Sequence, residues 1–276
     1  MNRKIFHTLC VLAVSLTSLI SYSQTPKKIK EFPAKNIESV SVDRLGNLFL
    51  IFKNGSIKKY DANGKVLASL KKGMKATLVE PWFHPSVFSY FRAQQQYTFY
   101  NHDLKVIQQQ RIDPAVAVDP FFACPTNDNK LLVLDKADWS IKKVNPNTNK
   151  VLSEFSIDTT GLTSKPEFSY IREYQNLIFL LDKNSGIFIF SNLGKKINHI
   201  PCKIQNFGFY GEELFYLSED RIIFYDLYSE STREVKVETG KFVIVTDERI
   251  FVVRENDRVI IYDFLVEESE GKPKEK

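Results

Sequence analysis

One stretch recurs along this chain and limits what it can fold into more than any other feature. Ile37–Leu70 reads as four short strands joined by tight turns. Glu38 to Asp43 alternates polar and apolar residues, with Val40 and Val42 on one face, the pattern of a half-buried strand. Arg44-Leu45-Gly46-Asn47 is a turn, because Gly and Asn tolerate positive φ. Leu48-Phe49-Leu50-Ile51-Phe52 is apolar on both faces, as a strand covered on both sides must be. Asn54-Gly55 is a strong hairpin signal. Ser56 to Asp61 then forms a third strand, Ala62-Asn63-Gly64-Lys65 a turn, and Val66 to Leu70 a fourth. Together they make one antiparallel meander.

The doubly covered second strand returns at Val87–Phe91, Leu131–Leu134, Leu177–Leu181, Leu214–Leu217 and Ile250–Val253. Each is followed by a third strand closing on a large residue and a turn former. These endings are Tyr60-Asp61, Tyr100-Asn101, Val144-Asn145, Phe190-Ser191, Tyr225-Asp226 and Tyr262-Asp263. The six anchors lie 35 to 46 residues apart, whereas each second strand starts 11 to 13 residues before its anchor. A tight repeated core with variable connections is what a repeat array gives. The pattern predicts an all-β chain, a six-bladed β-propeller of four-stranded antiparallel blades. Sandwich sheets with one solvated face would show strict alternation in the second strands, which these lack.

The ends fit a closed ring. Lys28-Ile29-Lys30-Glu31-Phe32 resembles a fourth strand but precedes unit one, and unit six is one strand short after Val259–Tyr262. The N-terminal strand is therefore expected to complete the last blade, removing two open sheet edges. Residues 1–23 read as a signal peptide: Asn2-Arg3-Lys4 is basic, Ile5 to Ile20 apolar, and Ser21-Tyr22-Ser23 small enough for cleavage before Gln24. Cys10 follows His7-Thr8-Leu9, a poor lipobox, so a lipid anchor is not expected. The domain reading is a propeller over 24–266, followed by a charged, disordered tail over 267–276. An exported protein is expected, periplasmic or extracellular, with no integral membrane segment in its mature part.

Composition narrows the function classes. The formal charge of +5 falls to +3 without Arg3 and Lys4, too small and too interspersed for nucleic-acid binding. Twenty-two Phe and 12 Tyr supply rings to fill gaps between twisted blades. Cys124 and Cys202 fall in units three and five, with a unit between them, so two small unpaired residues are expected rather than a disulfide.

Val42-Asp43-Arg44-Leu45-Gly46-Asn47-Leu48-Phe49-Leu50, with Ile57-Lys58-Lys59-Tyr60-Asp61-Ala62-Asn63-Gly64-Lys65, resembles one blade of the NHL-type six-bladed propellers. Those repeats carry a Val-Asp, a Gly-Asn, a hydrophobic strand and a closing aromatic-Asp-x-x-Gly-Lys. Asn192-Leu193-Gly194-Lys195 and Tyr262-Asp263 match in fragments. The resemblance implies the fold over most of the chain. It leaves activity open, because that fold hosts binders, lactonases, lyases and scaffolds.

No Gly-x-Ser-x-Gly, paired-His or phosphate-loop motif is present. His84, His102 and His199 lack metal spacing, and His102 and His199 read as surface or packing residues. Two candidate sites follow from the predicted ring. First strands of a propeller line its axis, which would bring together Glu38, Glu80, Asp119, Glu167, Asn206 and Lys241; the carboxylates and the amide among them are hard oxygen donors suited to Ca²⁺. The turns after the second strands carry Lys53, Arg92, Asp135, Lys136, Asp182, Lys183, Glu219, Arg254 and Glu255, with Trp139 as an exposed aromatic, a mixture suited to peptide or protein recognition. The first expectation is a cofactor-free binding or scaffold module for an envelope protein or peptide, through Arg92, Trp139, Lys136, Lys183, Arg254 and Trp82. The alternative is a metal-dependent lactonase- or esterase-like hydrolase using the axial carboxylates. A third option is carbohydrate binding through Trp82, Trp139 and exposed tyrosines.

Overall fold

A computed structural model describes residues 25–71, 73–82, 85–158 and 166–264. The signal-peptide and tail segments lie outside them, as do Phe83 and His84 of the Pro81–Pro85 loop. The described residues form six four-stranded antiparallel sheets. Blade one holds β2 (Ile37–Val42), β3 (Leu48–Phe52), β4 (Ile57–Tyr60) and β5 (Val66–Leu70). Blade two holds β6 (Leu78–Glu80), β7 (Val87–Phe91), β8 (Gln96–Tyr100) and β9 (Val106–Arg111). Blade three holds β10 (Pro120–Pro125), β11 (Leu131–Asp135), β12 (Ser140–Asn145) and β13 (Lys150–Ser156). Blade four holds β14 (Phe168–Tyr174), β15 (Leu177–Asp182), β16 (Gly186–Ser191) and β17 (Lys196–Ile200). Blade five holds β18 (Phe207–Tyr210), β19 (Glu213–Ser218), β20 (Arg221–Asp226) and β21 (Thr232–Lys236). Blade six holds β22 (Phe242–Val245), β23 (Arg249–Val253) and β24 (Arg258–Asp263), and its fourth strand is β1 (Lys28–Pro33). This is the expected six-bladed propeller. Phe32 pairs with Val259 and Pro33 with Arg258, so the chain's first described strand closes the ring. The one helical segment among the described residues is a 3₁₀ turn, Arg92–Gln94, and none is long and apolar enough to cross a membrane.

The doubly apolar second strands pack as their sequence requires. Leu48, Leu50 and Phe52 of β3 share a core with Phe251 and Val253 of blade six, while Phe49 and Ile51 share another with Val79, Val87 and Phe91 of blade two. Alternate residues of one strand thus fill two different inter-blade cores. Leu48, Phe49 and Leu50 are fully buried, and each such side chain contributes roughly 1.5–3 kcal/mol on leaving water. The repeat's aspartates fasten its turns. Asp43 accepts from the N–H groups of Leu45 and Asn47, and Asp61 from those of Asn63 and Lys65. Gly55 sits at φ 79°, and a Cβ there would stand 2.4 Å from the Gly73 carbonyl oxygen, so the Asn54-Gly55 turn needs glycine.

Cys124 and Cys202 are both free thiols, Cys124 buried and Cys202 half-buried. His102 is exposed beside Asp103. His199 stacks on Phe188 with ring centres 4.4 Å apart, its Nε2 2.7 Å from the Ser185 carbonyl oxygen, as a packing residue does.

Candidate functional site: a cationic face over a central funnel

The starts of the first strands and the turns after the second strands, two separate groups in the sequence, lie on one face. The backbone N–H groups of Lys53, Lys136 and Lys183 donate to the carbonyls of Asn36, Asp119 and Glu167 at 2.9, 2.9 and 3.1 Å. In five of six blades the residue directly after the second strand is Lys or Arg: Lys53, Arg92, Lys136, Lys183 and Arg254. Blade five has Glu219 instead. The result is a broken cationic ring around the axis. Carboxylates sit between its members, with Lys183 3.1 Å from Glu167, Arg254 3.0 Å from Glu238 and Arg92 3.9 Å from Asp119.

Two buried aspartates hold the loops that carry two of these carboxylates, Asp119 and Glu167. Asp135 accepts from the N–H groups of Val118, Asp119 and Ala137 and from the Lys142 ammonium, all within 3.1 Å. Burial pushes its carboxyl up, but these donors outweigh that and hold it below the usual aspartate range. Asp182 accepts from Glu167, Asn184 and Ser185 N–H groups at 2.5, 2.9 and 2.8 Å. Both aspartates end their second strands, so one acidic residue fixes a blade's cation and its neighbouring carboxylate together.

Three first strands carry a bulge near their start, between Ile37 and Ser39, Pro120 and Phe122, and Phe168 and Tyr170. The extra residues are Glu38, Phe121 and Ser169, and all three line the funnel. A bulge re-aims a side chain without breaking the sheet. Phe121 is the residue of this candidate site that sequence reasoning missed. Its ring carries the Arg92 guanidinium 3.7 Å from its centre and the Lys136 ammonium at 5.6 Å. The Pro120-Phe121-Phe122 run was its only signal, and period-2 alternation assigns just one of the two rings to the channel.

Some predicted site residues part company. Glu80 ends β6 at the far side of the funnel and is 1% exposed. Its carboxylate accepts from the Tyr170 hydroxyl at 3.0 Å and the Trp82 N–H at 2.9 Å, and lies 3.4 Å from Arg172 Nε. Burial raises the Tyr170 hydroxyl well above its ordinary value, and the Glu80 charge adds to this. Glu38, with Lys75 at 2.9 Å, and Asp119 and Glu167, with the cations given above, stay near the mouth. Asn206 clamps blade five to blade six: its amide donates to the Val243 carbonyl at 2.7 Å and accepts from the Val243 N–H at 3.1 Å. Among the described residues no three His, Cys, Asp or Glu side chains come together as a metal-binding group. The carboxylates expected for Ca²⁺ are split between the two ends, each beside its own cation, and Asn206 is taken up by the Val243 backbone, so as placed they do not form a site for that ion. Neither tryptophan is an exposed platform. Trp139 is half-buried between Phe121 and Phe168, at 6.4 and 5.3 Å, and Trp82 lies near the Arg172 guanidinium at 5.2 Å, away from the cationic face.

Fold and face together define a six-bladed β-propeller with a charged, ring-lined axial funnel. No protein-family model matches the sequence, and no curated protein matches it. Among solved structures the chain is similar to the WD40 domain of Pan2 from Neurospora crassa, with TM-score 0.61, 8% identity, and 89% of this chain and 97% of that one covered. It is also similar to a catalytically inactive virginiamycin B lyase from Staphylococcus aureus solved with quinupristin, with TM-score 0.55, 13% identity, and 86% and 99% covered. BamB from Moraxella catarrhalis gives TM-score 0.50, 7% identity, and 87% and 100% covered. At such identities the likeness concerns the fold.

Proposed function

We propose that this is an exported, non-enzymatic propeller of NHL-type character that binds an acidic segment of an envelope protein through its cationic face. The observation that carries this reading is the repetition of Lys or Arg after the second strand in five of six blades. A fold needs no cation at that turn, since blade five closes with Glu219. Arg92 on Phe121 is the natural anchor. A guanidinium laid on a ring is held ready to pair with a carboxylate in a bidentate fork. The carboxylates interleaved on the same face, Glu38, Asp119, Glu167 and Glu238, favour a protein surface of mixed charge over a continuous polyanion such as nucleic acid. The basic and apolar segments before Gln24 support export.

The test uses affinity capture from cell envelopes with three baits. They are the wild type, K53E/K183E on the cationic face, and K65E/K195E on the opposite face. A protein retained by the first and third baits and lost by the second, with retention falling as salt rises, is the expected result. A set of captured proteins that is the same for all three baits overturns the reading.

A further inference from the structure

The space beneath the cationic face is larger than contact between two protein surfaces requires. The funnel encloses about 860 Å³, inside the roughly 300–1,000 Å³ of small-molecule sites. Its charged lining is lopsided: Lys53, Lys75, Arg92, Arg172, Lys183 and Lys241 stand against Glu38 and Glu167 alone. Both of those carboxylates are matched, by Lys75 and Lys183. Arg92 and Arg172 face Asp119 and Glu80. Lys53 and Lys241 have no carboxylate within ion-pairing distance among the described residues. They belong to blades one and six, which ring closure makes neighbours.

The wall below them is mixed, with Val40, Phe121 and Tyr170 half-exposed in it among polar groups. The Lys241 ammonium lies 4.9 Å from the centre of the Phe242 ring, and Phe168, Tyr170, Phe207 and Phe242 all line the funnel. One polar atom in that wall awaits a partner. The Ser169 hydroxyl, at the inner bulge of blade four, is buried and has no hydrogen-bond partner, although buried hydroxyls as a rule have one. Two uncompensated ammoniums over a lining that also presents half-exposed apolar side chains call for an anionic head on a partly apolar body.

We propose that the funnel binds an organic carboxylate with an aromatic or aliphatic body. The carboxylate is held by Lys53 and Lys241, and the body lies against Val40, Phe121 and Tyr170, the half-exposed apolar side chains of the lining. This goes beyond the reading of the face, because Lys241 and the funnel lining make contacts that the rim alone does not. The chemistry has two sources, a free acid or the carboxyl end of a polypeptide.

Calorimetric titration of the full chain at low salt distinguishes them with four probes: 3-phenylpropionate, 3-phenylpropionamide, and N-acetyl-Gly-Gly-Phe as free acid and as amide. At least one acid binds, and its amide binds about tenfold more weakly or worse, since the neutral amide brings no charge to pair with the two ammoniums. Which acid binds more tightly identifies the source. K53Q/K241Q loses the acid's advantage, while K195Q, on the opposite face and outside the lining, keeps it. Near-UV circular dichroism shows that each variant is folded. Equal binding of acid and amide, an undiminished K53Q/K241Q, or no binding of any probe overturns the inference. A wild type that ignores all four probes yet loses its envelope partner on K53E/K183E leaves the face reading standing and removes this one.

Discussion

Asp135→Asn tests whether the cationic face is held from beneath. The carboxylate of Asp135 is fully buried and accepts from three backbone N–H groups and from Lys142, itself 8% exposed. Asparagine has the same shape but places an NH₂ where one oxygen accepted, so a donor meets a donor, and Lys142 loses its closest partner. Breaking a buried pair from one side typically costs about 3–5 kcal/mol. Lys142 keeps Asp138 at 3.4 Å and Glu154 at 3.7 Å, which places the expected loss near the lower end, about 3 kcal/mol. For a domain of this size that lowers Tm by roughly 6–12 °C. Asp182→Asn is the internal comparison. It loses backbone bonds but strands no cation among the described residues, so its cost is about 1–2 kcal/mol.

The pH dependence gives the sign. Burial works against both charged forms, but the mutual contacts win, so the folded Asp135 carboxyl lies below its ordinary range and the Lys142 ammonium above its own. The Asp135 contribution is complete above the pKa of an unfolded aspartate and is lost as pH falls through the lower folded value. The Lys142 contribution is complete below the unfolded lysine pKa and is lost as pH rises through the higher folded value. Urea unfolding of wild type and Asp135→Asn at neutral pH and in acid measures the gap directly. It is widest near neutrality and narrows in acid. A gap that stays flat or widens in acid, or no loss at neutral pH, refutes the reasoning.

Three further outcomes are expected. Glu80→Ala removes the carboxylate facing buried Arg172 and costs about 3–5 kcal/mol, with Glu80→Gln milder because it keeps an acceptor for the Tyr170 hydroxyl; equal midpoints for wild type and Glu80→Ala in thermal unfolding contradict this. In a C10S background the native protein resists thiol reagents at neutral pH, because burial lifts the Cys124 thiol strongly and the Cys202 thiol to about 11; a rapidly labelled thiol in the folded state contradicts the burial. Deleting Lys28–Phe32 leaves β24 as an open edge, so light scattering detects self-association, and a monodisperse deletion variant argues that β1 does not close the ring.

The ring was legible because its determinants are local. A strand such as Leu48–Phe52 must be covered on both sides, and each anchor precedes a turn former at nearly constant distance from such a strand. Ring closure followed from counting: one strand too many at Lys28–Phe32 and one too few after Tyr262. The cations of the face were legible as turn residues, Lys53 to Arg254. The site was less so, because depth along the axis is not written in the alternation. Glu80 ends its short first strand whereas Glu167 precedes its own, so residues in similar sequence settings sit at opposite ends of the funnel. Trp139 reads as exposed from its turn, yet it adopts φ 54° and tucks its ring between Phe121 and Phe168.

The bulges explain both what the sequence concealed and how the chain keeps its rim quiet. On the inner strands the inserted residue sets the funnel lining, and a one-residue slip would turn every following side chain to the other face. On the outer strands the same device recurs where the fourth strand leaves its turn. The pairings skip Leu67, Ile107, Leu152, Ile197 and, in blade six, Ile29. Each skipped residue is an exposed aliphatic, which an interior packing argument cannot explain. A kinked outer strand is a poor template for another chain, and the lysines beside these positions, Lys65, Lys105, Lys150, Lys196 and Lys28, add charge to the same edge. Blade five has no bulge. Its β21 pairs regularly from Thr232 to Lys236, and there the edge is guarded by charge alone, with Arg233 and Glu234 paired to Glu213 and Arg221 at 2.5 Å. The rim is therefore built against association in every blade, by kink or by charge. That leaves the cationic face and the funnel below it as the surface whose charges no requirement of the fold accounts for.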